Sequence, residues 1–268
     1  MRTYVITGGT DGIGAALARA LLARGDHAVV IGTNRGKAER IAAGEAGQIT
    51  FVPADLSLVS DTRRTIDVLK QAHPVIDGLV LCARYFRSRR RVTAEGFEDN
   101  FALFYLSRAL FSYGLLEPLT AAGRPVIVNV AGPGHRTPID WTDLQSQKRY
   151  DGVEAMFLTG RLNDLLGVSF AERHGGGPVR YVLMHPGTTS TGFVGDFDPA
   201  TARFIEQQKA VAKPAADVAP AIMRLLDDPP AAPLSAFNMY RPLTVDSDLF
   251  SPAQASVLAE MTAAILPA

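Results

Sequence analysis

Short apolar runs alternate with longer amphipathic segments along most of the chain. The apolar runs have the length of buried strands and lie at residues 4–6, 28–31, 49–52, 79–81, 125–130 and 180–184. Apolar residues at helical spacing occur at residues 14–24, 37–43, 61–72, 97–122, 151–174, 216–226 and 254–265. Because strands that alternate with helices form a parallel sheet covered on both faces, we predict an α/β fold. The predicted arrangement is a doubly wound Rossmann sheet in a single domain, residues 1–268.

The stretch that follows the strand at residues 180–184 shows no clear periodicity. It begins with the sequence HPGTTSTG at residues 185–192 and stays irregular to about residue 213. In a doubly wound fold, ligands bind at the carboxyl ends of the strands, where such a connection lies. We therefore predict a cofactor-binding core at residues 1–186 and a substrate lid at residues 187–215 of the same domain.

Composition and charge limit the classes of protein and partner. With 268 residues, of which 47% are hydrophobic, the chain can bury a large core without metals or disulfides. Basic and acidic residues number 27 each, so the net charge indicates neither nucleic acid nor a membrane surface as a partner. Cys82 is the only cysteine, and Met1 leads into an apolar strand without a signal-peptide pattern. We therefore expect a cytoplasmic protein, and no apolar run approaches the roughly 20 residues of a membrane span.

The sequence TGGTDGIG at residues 7–14 lies between the first predicted strand and the first predicted helix. Gly8 can adopt a backbone angle closed to other residues, Gly12 lets the main chain approach a pyrophosphate, and Gly14 allows close helix packing. The amino end of the helix offers free N–H groups and a partial positive charge to phosphates. The turn therefore predicts a dinucleotide site, with contacts from Gly8, Thr10, Asp11, Gly12, Ile13 and Gly14.

The spacing T-G-x-x-x-G-I-G in this turn resembles that of the short-chain dehydrogenase/reductase family. The sequence DLQSQKRY at residues 143–150 is similar to a stretch of its retinol-dehydrogenase-like branch, and the resemblance covers about residues 3–195. The resemblance implies an adenine contact after the third strand and a nicotinamide carboxamide contact after the sixth. The further cofactor contacts that it implies are Asp55, Leu56, Ala83, Arg161, Pro186, Gly187, Thr188 and Thr191. Family members usually pair through the two long helices, so a homo-oligomer is also implied.

The end of the second strand decides between the two nicotinamide dinucleotides. An acidic residue at this point binds the ribose 2′-hydroxyl and repels a 2′-phosphate. The sequence GTNR at residues 32–35 contains no acid, whereas Arg35 can pair with a phosphate and Asn34 can assist as a neutral group. We therefore expect NADP(H) in preference to NAD(H).

The catalytic residues of the family are replaced in this chain. Family members use a serine after the fifth strand and a Tyr-x-x-x-Lys pair on the next long helix, where this chain has Gly132, Phe157 and Arg161. Phenylalanine has no proton to give, and arginine stays protonated, so the ordinary proton chemistry is excluded. Arg161 can still bind the nicotinamide ribose and lend positive potential, and Asn100 resembles the structural and catalytic asparagine of the family. No metal site is predicted.

Three hypotheses explain a cofactor turn beside absent catalytic residues. The first is an atypical ketoreductase that reduces a ketone on a polycyclic aromatic secondary metabolite, as in antibiotic biosynthesis, with a phenol of this small-molecule substrate as the acid. The second is a binding or sensor protein that holds the nicotinamide dinucleotide without turnover. The third is a non-redox cyclase or isomerase that uses the same cleft, with His135, Tyr150 and Thr159 as its polar groups.

Overall fold

An eight-stranded sheet forms the centre of the computed structural model, which describes residues 1–42, 47–190 and 195–266. Its strands are β1 (Thr3–Thr7), β2 (His27–Gly32), β3 (Gln48–Pro53), β4 (Gly78–Leu81), β5 (Val126–Val130), β6 (Arg180–His185), β7 (Leu234–Asn238) and β8 (Arg241–Leu243). Their spatial order is β8-β7-β6-β5-β4-β1-β2-β3, and only the β7–β8 pair within this sheet is antiparallel. The doubly wound Rossmann prediction is confirmed.

Helices cover both faces of the sheet. They are α1 (Gly12–Ala23), α2 (Arg35–Ala42), α3 (Val59–Ala72), α4 (the consecutive segments Asp99–Phe101, Ala102–Leu106 and Ser107–Gly114), α5 (Leu116–Thr120), α6 (Gly152–His174), α7 (Pro199–Val211), α8 (Ala219–Asp227) and α9 (Pro252–Ile265). One core lies between the sheet and α1, α2 and α8, and the other contains residues of α3, α4, α6 and α9. Among the described residues, no helix combines the length and the apolar character that crossing a membrane requires.

The elements differ from the prediction in three places. The stretch predicted to be irregular contains the 13-residue helix α7, and strands β7 and β8 extend the sheet beyond β6. The sequences of these two strands, LSAFN and RPL, lack the continuous apolar run that identifies a strand buried on both faces. The helix predicted over residues 97–122 begins at Asp99, has a π-helical turn at Ala102–Leu106 and ends at Gly114 before the separate helix α5.

The connection between β6 and α8 folds back over the carboxyl ends of the strands. Lys213–Pro214 pairs with Thr189–Ser190, which closes the base of the connection. Gly195–Asp196 pairs with Phe86–Arg87 of the segment after β4, and the Phe197 ring lies 5.8 Å from that of Phe86. This connection is therefore attached at its base and at its centre, and its role as a substrate lid stays a prediction.

Arg108 of α4 ties the carboxyl ends of two neighbouring strands together. Its side chain is buried, and it donates hydrogen bonds to the carbonyls of Val130 at 2.8 Å and of Ala83 at 3.1 Å, and to Oδ1 of Asn129. The guanidinium carbon lies 4.2 Å from the ring centroid of Phe104. Burial lowers the pKa of Arg108 to about 9, so the group keeps its charge at neutral pH. The relative positions of the β4 and β5 ends thus depend on one side chain.

Replacement of Arg108 by methionine is expected to destabilise the fold strongly. The substitution leaves three buried acceptors without a donor, each of which costs about 1–3 kcal/mol, so we expect a loss of about 3 kcal/mol or more in the free energy of unfolding measured with urea. The control Arg124→Met removes an exposed ion pair with Asp228, which is worth about 0–1 kcal/mol. Equal losses in the two variants would contradict the assigned role of Arg108.

Candidate functional site

The turn between β1 and α1 has a shape that requires glycine. Gly8 and Gly12 have φ angles of +65° and +50°. A Cβ atom on Gly8 would lie 2.8 Å from the Cα of Ala83, and one on Gly14 would lie 2.3 Å from the carbonyl oxygen of Gly8. The carboxylate of Asp11 caps α1 by accepting the Gly12 N–H at 2.8 Å. The turn can therefore pack against the end of β4 while it directs the amino end of α1 outward.

The position of this turn suits a dinucleotide. It lies between β1 and β4, where the strand order reverses and the crevice of a doubly wound sheet opens. The Gly12 N–H is bonded to Asp11, whereas the next amides of α1, those of Ile13 and Gly14, have no acceptor within the helix and can bind the phosphates of a ligand. Ile13 is buried and anchors this helix end, and Thr10 packs so closely on Gly32 that a Cβ there would lie 2.7 Å from the threonine Oγ1. The residues present fit a pyrophosphate and its adjoining ribose.

Two cations lie at the end of β2. Asn34 caps α2 by accepting the Lys37 N–H at 3.0 Å, and the Arg35 guanidinium carbon lies 5.2 Å from the ring centroid of Phe51. The Lys37 ammonium pairs with the Asp11 carboxylate of the glycine turn. Sequence reasoning missed Lys37 because its partner lies 26 positions away in an element with no periodic relation to α2. This edge of the crevice is therefore positively charged beside the predicted ribose position.

The loop after β3 contains the predicted adenine contacts. The Asp55 carboxylate accepts hydrogen bonds from the Ser57 N–H at 3.0 Å and the Ser57 hydroxyl at 2.7 Å. The Asp55 N–H itself donates to the Asp61 carboxylate at 2.9 Å, and Leu56 is buried beside it. These bonds fix the loop, while the Asp55 residue stays exposed at the sheet edge.

The carboxyl ends of β4, β5 and β6 are followed or ended by Arg84, Gly132 and His185, in that order. A Cβ on Gly132 would lie 3.5 Å from Cδ2 of His185, and the Arg84 guanidinium carbon lies 5.0 Å from the ring centroid of Phe104. Burial, and next the charge of Arg84, lower the pKa of His185, so its imidazole is neutral at pH 7. The place that resemblance gives to a serine is thus bordered by a cation and a neutral histidine.

The segment after β6 is held at the same edge of the sheet. The Gly187 N–H donates to Nδ1 of His185 at 3.1 Å, and Gly187 has a φ angle of +78°. The carbonyl of Thr188, which follows Pro186 and Gly187, accepts the Lys213 N–H at 3.0 Å. Thr191, the remaining predicted contact of this segment, lies outside the described residues.

Phe157 and Arg161, which the resemblance places at the family's tyrosine and lysine, both contact other side chains of the protein. The ring of Phe157 stacks on that of His135, with centroids 4.0 Å apart and an interplanar angle of 9°. Arg161 is 3% exposed, and its Nη1 donates to the Asp164 carboxylate at 2.9 Å and to the Leu249 carbonyl at 2.7 Å. A contact between Arg161 and a nicotinamide ribose stays a prediction, since this nitrogen is already committed to an internal ion pair.

Asp164 is a second residue that sequence reasoning missed. Its carboxylate is fully buried, and Oδ2 accepts the Gly134 N–H at 3.0 Å as well as the Arg161 bond, whereas Oδ1 has no hydrogen-bond partner among the residues that the structure describes. Burial raises the pKa of Asp164 to about 6 despite the neighbouring guanidinium. The spacing of three residues from Arg161 on one helix was the available signal.

Asn100 and two residues proposed for a non-redox site serve the packing of helices and loops. The Asn100 amide donates to the Ala155 carbonyl at 3.1 Å and to the Thr159 hydroxyl at 2.9 Å, which joins α4 to α6. The Tyr150 hydroxyl donates to the Glu98 carboxylate at 3.2 Å.

Among the described residues, no group of three or more His, Cys, Asp or Glu side chains is arranged to hold a metal ion.

Loss of one partner of the Arg161–Asp164 pair is expected to cost more than loss of both. Asp164→Ala leaves a buried guanidinium without its counter-charge, so we expect a loss of about 3–5 kcal/mol in the free energy of unfolding. The double variant Arg161→Met/Asp164→Leu removes both charges and should be clearly more stable than Asp164→Ala. Urea denaturation compares Asp164→Ala with the double variant, and a double variant that is no more stable than Asp164→Ala would contradict the expectation.

Solved structures share this architecture. A crystal structure of an uncharacterised protein from Mycobacterium paratuberculosis superposes with a TM-score of 0.73 at 22% identity, over 99% of this chain and 93% of that one. A metagenomic short-chain oxidoreductase, solved in complex with NADP, gives a TM-score of 0.65 at 23% identity, over 91% of this chain and 97% of that one. At these identities the likeness shows the fold alone.

Sequence comparison identifies the family. Residues 2–141, just over half of the chain, match the model of the short chain dehydrogenase family. Human retinol dehydrogenase 12 is 30% identical over 205 residues, which are 72% of this chain and 63% of that protein. The chain spans less than two thirds of the length of the first curated relatives that it matches. On the family match and the glycine turn together, this chain belongs to the short-chain dehydrogenase family, in its retinol-dehydrogenase-like branch.

Proposed function

We propose that this protein binds NADP(H), in preference to NAD(H), and reduces a ketone of a flat multi-ring aromatic secondary metabolite, of the kind used in antibiotic biosynthesis. The observation that carries the proposal is the glycine turn at the switch point of the sheet, where a Cβ on Gly8 or Gly14 would meet backbone atoms. Family membership supports an oxidoreductase, and the NADP complex of the metagenomic oxidoreductase supports a nicotinamide dinucleotide as cofactor.

The chain contributes binding and orientation, while the reduced nicotinamide supplies a hydride when it is bound. In this proposal the amino end of α1 holds the pyrophosphate, and Arg35 and Lys37 face the 2′-phosphate. The predicted contacts after β3, β4 and β6 orient the two ends of the dinucleotide. Hydride transfer then needs a carbonyl held at the nicotinamide face, which a shaped pocket provides.

Aromatic surfaces near the cleft favour a flat substrate. Phe157 and His135 form a stacked pair on one side, and the Phe86–Phe197 contact joins the lid to the segment after β4. A positioned acid accelerates such a reduction about 10²–10⁴-fold, which corresponds to roughly 3–5 kcal/mol of activation free energy. An enzyme that lacks this acid can therefore still catalyse the reduction at a lower rate. A phenol beside the ketone of the substrate is one proton source that needs no tyrosine from the protein.

Dinucleotide binding without turnover is the second candidate. It is favoured by Arg161, because the residue at the lysine position is buried in an ion pair instead of being exposed to the cleft. A non-redox cyclase or isomerase has less support, since Tyr150 and Thr159 are both engaged in hydrogen bonds within the protein.

The homo-oligomer that the resemblance implies also stays a prediction. The expected contact surface consists of α4 and α6, and α9 of the same chain packs against both helices. Leu258 is buried there, and the Tyr105 hydroxyl lies 2.6 Å from that of Thr262. A second copy that approached these helices would therefore also contact α9.

Arg35→Gln should weaken the binding of NADPH and leave that of NADH nearly unchanged. Loss of a charge-assisted hydrogen bond to the 2′-phosphate is worth about 1.5–3 kcal/mol, so the Kd for NADPH should rise about tenfold or more. Fluorescence titration of the two reduced dinucleotides measures the effect. The matched control is Arg124→Gln, because Arg124 precedes β5 at the amino ends of the strands. If Arg35→Gln weakens the binding of NADPH and NADH equally, the argument for a 2′-phosphate contact is lost.

A matched pair of bicyclic ketones tests turnover. We expect the protein to oxidise NADPH in the presence of 8-hydroxy-1-tetralone, whose phenol is hydrogen-bonded to the ketone, and loss of absorbance at the reduced nicotinamide band measures it. 1-Tetralone lacks only the aromatic hydroxyl. The difference in rate between the two ketones therefore measures how much the substrate hydroxyl contributes as a proton donor. Tight NADPH binding with no oxidation by either ketone would favour the binding protein, and absence of NADPH binding would refute the proposed function.

A further inference from the structure

The imidazole of His135 lies directly on the ring that replaces the tyrosine of the family. The two centroids are 4.0 Å apart and the rings are nearly parallel, at 9°. Phe157 is half-buried and His135 is exposed, so the imidazole lies on the solvent side of the phenyl ring. A side chain that can donate a proton is thus stacked on the ring at the position that the resemblance gives to the tyrosine.

The backbone holds this histidine in place. Gly134, with a φ angle of +82°, donates its N–H to the buried Asp164 carboxylate at 3.0 Å. Asp164 is fixed in turn by its ion pair with Arg161. The residue at the lysine position therefore supports the loop that carries His135, although its guanidinium nitrogen is bonded inside the protein.

The orientation of the imidazole leaves one nitrogen for a substrate. Nδ1 of His135 lies 2.7 Å from the hydroxyl oxygen of Thr137, which fixes the ring within its plane. Stacking on Phe157 fixes the plane itself. When the ring is protonated, Nδ1–H can donate to Thr137 and Nε2–H remains available for a second acceptor.

We propose that His135 is the proton donor of this cleft, in place of the tyrosine; this inference rests on the proposed ketone reduction. The substrate carbonyl carbon gains a hydride from the reduced dinucleotide, the C=O π bond breaks, and the oxygen takes the Nε2 proton of the imidazolium. The products are the alcohol, the oxidised dinucleotide and a neutral imidazole that keeps its Nδ1–H on Thr137. Because His135 is exposed, water returns the proton.

Two substitutions separate proton transfer from packing. His135→Phe keeps a stacked ring without a proton, and His135→Gln keeps a hydrogen-bond donor that cannot act as an acid. We expect both to lower kcat for 1-tetralone by about 10²–10⁴-fold while the Kd for NADPH stays at the wild-type value. His27→Phe is the control, since that histidine lies in β2 and is hydrogen-bonded to Thr50. If His135→Phe keeps the wild-type kcat on both tetralones, the assignment is overturned. If its kcat falls for 1-tetralone and not for 8-hydroxy-1-tetralone, the assignment is supported, because the substrate phenol then replaces the imidazole as proton donor.

Chemical labelling gives a readout that does not depend on turnover. In the cofactor-free protein, diethyl pyrocarbonate should modify His135 faster than His185, which is half-buried with Nδ1 accepting the Gly187 N–H. Peptide mass spectrometry measures the two rates. Labelling of His185 but not His135 would overturn the inference. A wild-type protein that reduces neither ketone would instead refute the proposed function, and the donor assignment with it, whatever the labelling shows.

Discussion

The carboxyl ends of β4 and β5 depend on the hydrogen bonds of one buried guanidinium. Arg108 reaches from α4 into the core and donates to the carbonyls that end two adjacent strands. One of these carbonyls belongs to Ala83, against which Gly8 packs, so the shape of the dinucleotide turn follows from the position of the β4 end. The other belongs to Val130, which begins the loop toward His135. Burial of a charged side chain costs solvation free energy. Here three hydrogen bonds to neutral acceptors offset part of that cost, and they join different parts of the site.

The residues that the resemblance places at the catalytic positions have partners within the protein. A Cβ on Gly132 would lie 3.5 Å from Cδ2 of His185, the Phe157 ring stacks on His135, and Arg161 forms a buried ion pair. The charge of Arg161 is thereby balanced by Asp164. The chain keeps the fold of the family, whereas function resides in the site and not in the scaffold.

The part of the chain beyond the family match contacts residues within it and α6. The Leu249 carbonyl accepts a hydrogen bond from Arg161 of α6, and the Thr262 hydroxyl of α9 is hydrogen-bonded to that of Tyr105 of α4. The segment between β6 and α8 contacts Phe86 through Phe197. The C-terminal segments are thus joined to α4, α6 and the segment after β4.

The sequence by itself determined the features that repeat or that depend on the local backbone. The strands β1 to β6, most helices, the glycine turn, the absence of an acid after β2 and the absence of a Tyr-x-x-x-Lys sequence were all readable, because period and spacing encode them. The strands β7 and β8 and the helix α7 were not, since LSAFN, RPL and the sequence of α7 carry weak periodicity. Only the tertiary structure decided the Lys37–Asp11 pair, the burial of Arg108 and the stack of His135 on Phe157. These contacts join residues far apart along the chain, and their geometry is set by the path of the sheet.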